Sequence, residues 1–339
     1  MRPLTLKRLL WTCGALAVVL LACVVLALKL GAVPISVTDL VLNLGRIAIG
    51  QSDRLPTDYR LIIFELRLPR ILLGVLVGAA LSVSGASFQA LLRNPLADPF
   101  VLGVSSGAAL GSLLALAIAP ELPLVTPLGA FLGALATITA VYFLGRREGQ
   151  LDSTTLLLGG IISASFLSAM IMFLVTTLSG RDLRGIVFWL MGDLSTPVPT
   201  GLRWIFTVGL LAGFGAIYTT AADLNLLLTG EREAIHLGVE VTRVKLVVYV
   251  SASLLTALAV SASGAIGYVG LLVPHAVRLL FGSDYRLLIP ASALCGAIAI
   301  VLADTLARTV AAPTELPVGA MTAMAGAPVF IYLLRRGMR

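Results

Sequence analysis

The chain has 339 residues, of which 58% are apolar and only 12% charged, and its mean hydropathy is +1.02. A soluble domain carries about 25% charged residues, and a single core of this size cannot hide so much apolar surface, so a soluble enzyme is excluded. Lysine and arginine outnumber aspartate and glutamate by 24 to 17, a net charge of +7. These charges fall in short clusters between apolar runs, the pattern of membrane-flanking loops rather than of a nucleic-acid-binding face.

A bilayer-crossing helix consumes roughly 20 residues, so the apolar supply allows about ten. Apolar runs bounded by charge, proline or glycine occur at 9–31, 70–91, 100–118, 124–145, 154–178, 203–221, 244–264, 266–281, 287–306 and 317–334. The expected fold is therefore all-α: a polytopic membrane protein of about ten transmembrane helices in one domain over residues 1–339. An even number of spans puts both termini on one side. The basic clusters Arg2, Lys7, Arg8 and Arg335, Arg336, Arg339 make that side cytoplasmic.

In the first run, Leu20-Leu21-Ala22-Cys23 looks like a lipoprotein cleavage box, but the apolar stretch from Leu9 to Leu28 is too long for a signal-peptide core. An uncleaved first helix is expected. Cys13, Cys23 and Cys295 all sit in apolar stretches without CxxC spacing. The polar segment Ala32 to Leu66 reads as an outer loop projecting into water.

Arg67-Leu68-Pro69-Arg70 opens the second run, with Pro69 suited to a first helical turn. Two arginines at the positive end of a helix dipole call for an anion, either lipid phosphate or an acidic external protein. After this run, Arg93-Asn94-Pro95-Leu96-Ala97-Asp98-Pro99 sets a cation at a helix C-terminus, a stiff turn, and Asp98 as N-cap with Pro99 behind it. Ala80-Leu81-Ser82-Val83-Ser84-Gly85 in the second run is echoed by Ala257-Leu258-Ala259-Val260-Ser261 and Gly264 in the seventh. Spans five apart run in opposite directions, so a repeat here is an inverted one, an arrangement transporters use.

The polar segment at about 226–243 contains a short helix pattern: Gly230, then Glu231, Arg232, Glu233, apolar Ala234, Ile235 and Leu237, and Gly238 as the stop. Two turns are not stable alone, so the apolar side lies either against this chain or in a partner's groove. The eighth run is broken by Gly264, Gly267, Gly270 and Pro274, backbone tolerated at membrane depth only when packed inside a bundle. Phosphate-loop, HExxH and GxSxG motifs are absent, and two histidines are too few for a histidine metal cluster. Asp304, four residues before Arg308 and close to Glu315, reads as a structural ion-pair cluster rather than an ion-coupling carboxylate. His275, followed by Arg278, suggests a packed helix more than a proton relay.

Taken together, several segments resemble the FecCD permeases, membrane subunits of type II ABC importers for iron-siderophores, haem and cobalamin. The resemblance rests on Arg67-Leu68-Pro69-Arg70, Val77-Gly78-Ala79-Ala80-Leu81 with Gly85 and Gln89, Arg93 to Pro99, and Leu102-Gly103-Val104-Ser105-Ser106-Gly107-Ala108. It extends through Gly264 to His275, Ala303-Asp304 with Ala307-Arg308, Glu315 to Gly319, and Gly326-Ala327-Pro328-Val329-Phe330.

The resemblance implies ten helices with inverted repeats in the inner membrane, a pair of permeases (two copies or paralogues), two cytoplasmic ATPases holding ATP and magnesium, and an external binding protein. No cofactor of the chain's own is implied. Gly230, Glu231, Arg232, Ala234, Leu237 and Gly238 would form the helix that couples to the ATPase. Asn94 and Leu96 would form one cytoplasmic gate, and Ser153 with Thr154 the other. Arg67, Arg70 and Arg308 would pair with glutamates of the binding protein. An ion-coupled secondary transporter is the competing reading, with a polytopic membrane enzyme behind it.

Overall fold

A computed structural model describes residues 4–31, 56–119, 121–122, 124–147, 150–177, 183–195 and 200–337, with scattered positions between 33 and 46. Helix α1 (Leu6–Lys29) begins on the Thr5 hydroxyl, which accepts a hydrogen bond from the Arg8 N–H at 3.2 Å. Helix α2 spans Thr57 to Leu91 without a break. Residues Leu61–Arg67 form a π-helical stretch inside it. Pro69 therefore does not open the helix, as its place in the sequence suggests; the helix starts at Thr57, and Thr57–Leu66 are not an outer loop. A proline ring collides with the carbonyl four residues back, and widening the preceding turns into a π form relieves that collision.

Two short stretches follow: a 3₁₀ turn over Pro99–Leu102 and helix α3 (Val104–Ile118), separated by Gly103 at φ 75°. Helix α4 (Val125–Gly145) leads into a two-stranded antiparallel ribbon, β1 (Arg146–Arg147) and β2 (Gln150–Leu151). The remaining helices are α5 (Ser153–Thr177), α6 (Leu183–Leu190), α7 (Thr200–Thr219), α8 (Ala221–Leu227), α9 (Glu231–His236), α10 (Val241–Ser263), α11 (Val269–Phe281), α12 (Tyr285–Thr309) and α13 (Val318–Gly337).

Among the described residues, seven helices are long and apolar enough to cross a membrane: α1, α2, α4, α5, α7, α10 and α12. The three shorter apolar helices α3, α11 and α13 occupy the other three apolar runs. Helix α11 is short because Gly264, at φ 65°, and the non-helical residues after it interrupt the run, and its Gly270, Leu271, Pro274 and Val277 are buried.

Helices α2, α10, α11 and α12 form the centre. Where lipid surrounds a bundle, apolar side chains gain nothing by leaving it, so close packing and hydrogen bonds drive association. Small residues permit that approach. A Cβ on Gly85 would strike the Gly270 carbonyl, and one on Gly78 would strike that of Gly296. Gly107 and Gly111 of α3 pack in the same way on Gly129 and Gly133 of α4. Between α2 and α10 the Ser84 and Thr256 hydroxyls lie 2.6 Å apart, fully buried, with Ser84 Oγ also donating to the Ala252 carbonyl at 2.7 Å. The two echoing segments therefore lie against each other.

Candidate functional site

The part of α2 from Arg70 to Leu91 spans about 30 Å at 1.5 Å per residue. Each end carries a cluster of charge. At the Leu91 end the helix closes in a Schellman motif: the Arg93 N–H donates to the Ala90 carbonyl at 3.2 Å and the Asn94 N–H to that of Gln89 at 3.1 Å. The left-handed position, normally glycine, is Arg93 at φ 47°. The Asn94 side-chain oxygen accepts from the Leu96 N–H at 2.9 Å, fixing the elbow, while Leu96 itself stays exposed. Asp98 caps the 3₁₀ turn through the Phe100 N–H at 2.9 Å. Burial pushes its carboxyl up to about 6 against the opposing effect of that hydrogen bond.

The segment around Ser153 and Thr154, expected to form the second gate, docks onto this elbow. Ser153 Oγ donates to the Leu91 carbonyl at 3.1 Å, joining the first residue of α5 to the end of α2. Asp152 caps α5 through the Thr155 hydroxyl at 2.9 Å and the Thr154 N–H at 3.2 Å. The Thr155 hydroxyl bond is the largest influence holding its carboxyl below the usual range. Ser153 is thus brought to the end of α2, whereas the Thr154 side chain is exposed.

Helix α9 stands beside both. Gly230, at φ 138°, begins it, and Gly238, at φ 87°, ends it as the sequence predicts. The end is a second Schellman motif, with Gly238 N–H to the Ile235 carbonyl at 2.9 Å and Val239 N–H to that of Ala234 at 3.0 Å. The side chains of α9 divide differently from expectation. Ala234 is fully buried and Glu231 turns inward, its Oε1 2.7 Å from Lys245 Nζ and 3.5 Å from Arg93 Nη2. Arg232 and Leu237 face outward, joined by Ile235, which is 58% exposed against 63% for Leu237. Lys245 was not singled out from sequence, and Ile235 was named in the helix pattern but not among the coupling residues. A lysine near a helix start reads as a solvated anchor, and two turns are too short to show which apolar residue faces which way.

At the Arg70 end lie the three arginines expected to meet an external protein, and the structure finds each one engaged within the chain. Arg67 is buried, donating to the Leu28 carbonyl at 2.7 Å and also to that of Val33. Arg70 reaches Asp304 at 2.8 Å and Glu315 at 2.7 Å, and Arg308 reaches Asp304 at 3.0 Å. Asp304 is 2% exposed. This is the structural ion-pair cluster that the spacing of Asp304 and Arg308 suggests, and it includes Arg70 as well. The dipole argument for Arg67 and Arg70 lapses, because the helix begins ten residues before Arg67. Elsewhere, Arg278 of α11 donates to Gln89 at 3.2 Å and Tyr285 at 3.4 Å, tying α11 to α2 and α12.

A model of the FecCD transport family matches residues 19–336. The chain belongs to the FecCD transport family. As a FecCD permease it is 45% identical over 284 residues to the cobalamin import permease of Halobacterium salinarum, covering 83% of this chain and 75% of that protein. It is 42% identical over 284 residues to the haemin transport permease of Yersinia pestis, covering 80% and 82%. With the iron(III)-citrate import permease YfmE of Bacillus subtilis the identity is 36% over 334 residues, covering 97% and 96%. Among solved structures, an inward-facing ABC transporter of metal-chelate type superposes with a TM-score of 0.81 at 32% identity, covering 96% of this chain and 99% of that one. The fold is that of a type II ABC importer permease.

Proposed function

We propose that this FecCD permease is the membrane-spanning half of an ATP-driven importer that passes an iron chelate, with siderophore the leading class and haem or cobalamin the other two, from an external binding protein to the cytoplasm. Two permeases, a second copy or a paralogue, enclose the path, and two ATPases bind below. Both termini and α9 face the cytoplasm in this reading, and the protein resides in the inner membrane.

The observation that carries it is α9: a two-turn helix anchored inward by Ala234 and Glu231 that offers Ile235 and Leu237 outward, with Arg232 beside them. Two exposed apolar residues on a rigidly capped helix next to both gate segments suit insertion into a groove of a partner ATPase. Loaded binding protein docks at the opposite end, ATP closes the ATPases, α9 is displaced, and the segments around Asn94, Leu96, Ser153 and Thr154 exchange states. The guanidinium groups of Arg67, Arg70 and Arg308 are taken up inside the chain, so the docking step does not rest on them. An ion-coupled mechanism draws no support, since Asp304 is committed to Arg70 and Arg308.

The test is uptake by proteoliposomes. Vesicles holding this chain alone, under a proton or sodium gradient, are expected to accumulate no chelate, while vesicles with its ATPase, binding protein and internal ATP accumulate it. Gradient-driven uptake by the lone chain overturns the proposal.

A further inference from the structure

Lys245 is the point where the coupling helix and both gate segments meet. Its side chain is only 9% exposed. Its Nζ has two acceptors of different origin: the Glu231 carboxylate on α9 at 2.7 Å, and the Leu151 carbonyl at 3.2 Å, the last residue of β2 and two before Ser153. The third party is Arg93, at the left-handed position of the elbow, 3.5 Å from the same Glu231 oxygen that Lys245 holds. A non-glycine residue in that conformation is strained, and a strained residue that persists points to something its position serves.

We propose that Glu231 and Lys245 form a mechanical relay, in which displacement of α9 is carried through the buried ammonium to the Leu151–Thr154 segment while Arg93 receives the carboxylate that Lys245 releases. The inference rests on the coupling role of α9 proposed above. A buried ammonium that loses its carboxylate partner is left without counter-charge, so Lys245 must follow Glu231 or draw harder on the neutral Leu151 carbonyl, and either way the start of α5 feels the move. Glu231 has two cations within reach of one oxygen, here nearer Lys245 than Arg93, and a transmitted displacement would carry it from the first to the second. Asn94 and Ser153 then respond together because Ser153 is hydrogen-bonded to Leu91.

The experiment uses the complete importer carrying Thr154→Cys, with Cys13, Cys23 and Cys295 replaced by serine, and reads the maleimide labelling rate at position 154 with and without ATP and vanadate. With Lys245 intact, trapping is expected to change that rate at least fivefold. Lys245→Met, and Glu231→Gln as the milder variant should the first fail to assemble, are expected to reduce the change below twofold with the ATPase still co-purifying. Lys245→Arg, which keeps a cationic donor able to reach both the Glu231 carboxylate and the Leu151 carbonyl, is expected to retain at least half of it, which a merely structural role does not predict. A full response in both Lys245→Met and Glu231→Gln, or a response below twofold in Lys245→Arg, overturns the relay. Failure of the unaltered chain to retain an ATPase overturns the coupling role of α9, and the relay with it.

Discussion

Arg70 of α2 and Asp304 of α12 meet at 2.8 Å, with the arginine side chain 10% and the aspartate 2% exposed. Arg308 holds the other carboxylate oxygen at 3.0 Å, so one buried anion serves two buried cations. Removing one member of such a group costs about 3–5 kcal/mol, because the remaining charges lose their partner without regaining water. Asp304→Ala is therefore expected to lower the thermal midpoint sharply in detergent. Glu315, 48% exposed, pairs with the same Arg70, and Glu315→Ala is expected to cost about 1 kcal/mol or less. Equal losses for the two variants would contradict the burial described.

The same cluster separates structure from docking at Arg67. Its donors are bound to the Leu28 and Val33 carbonyls. Arg67→Glu is expected to destabilise the permease by about 2 kcal/mol or more, because it leaves buried carbonyls without donors and adds an unpaired anion. A variant that melts normally but loses capture of the binding protein in a salt-dependent manner would return Arg67 to the docking surface.

Packing at the helix crossings gives a third expectation. Gly85 lies against the Gly270 backbone, and no rotamer change can move a carbonyl aside. Gly85→Val is expected to prevent assembly of α2 on α11, or to cost about 3 kcal/mol if the helices separate. Gly14, which has nothing near it, provides the control: Gly14→Val is expected to leave the melting point within about 2 °C.

How far these features were legible in the sequence depends on the interaction behind each. The ten apolar runs were visible because bilayer thickness fixes their length, and Gly238 was visible because a left-handed stop selects glycine. Asp98 was legible as a cap because aspartate before proline has a local partner in the next N–H. The start of α2 was not, because Pro69 is a good first-turn residue and nothing local signals that the preceding turns widen to admit it. Nor was the inward turn of Glu231, which depends on Lys245, 14 positions away in the chain, and on Arg93, six helices earlier in the chain. The engagement of Arg67 and Arg70 within the chain was not legible either, because sequence shows charge but not burial. Local chemistry reaches the page directly, whereas pairings closed by tertiary packing do not.

The coupling face proposed for α9 is tested by its exposed residues. Ile235→Asp and Leu237→Asp put a charge where the chain itself makes little contact. Each is expected to leave the permease folded by size-exclusion profile and melting point, yet to reduce ATPase co-purification at least tenfold. Ala234→Asp buries the charge against this chain, so it is expected to lose the fold itself. Retention of the ATPase by both exposed variants would place the ATPase contact elsewhere.

The elbow carries a pH dependence through Asp98. Its carboxyl ionises at about 6 in the folded chain against 3.8 when unfolded, because burial outweighs the Phe100 N–H bond. Between those values the unfolded chain has released the proton and the folded one retains it, so stability falls as pH rises from about 4 to 6 and levels off above. The full shift corresponds to about 3 kcal/mol. Asp98→Asn keeps an oxygen that can accept from the Phe100 N–H and cannot ionise. It is expected to raise the melting point above pH 6.5, to leave it nearly unchanged at pH 4, and to flatten the profile between. Melting curves of the two proteins in detergent across pH 4–8 check this, and parallel curves would mean that the carboxylate reaches water and bears no burial cost.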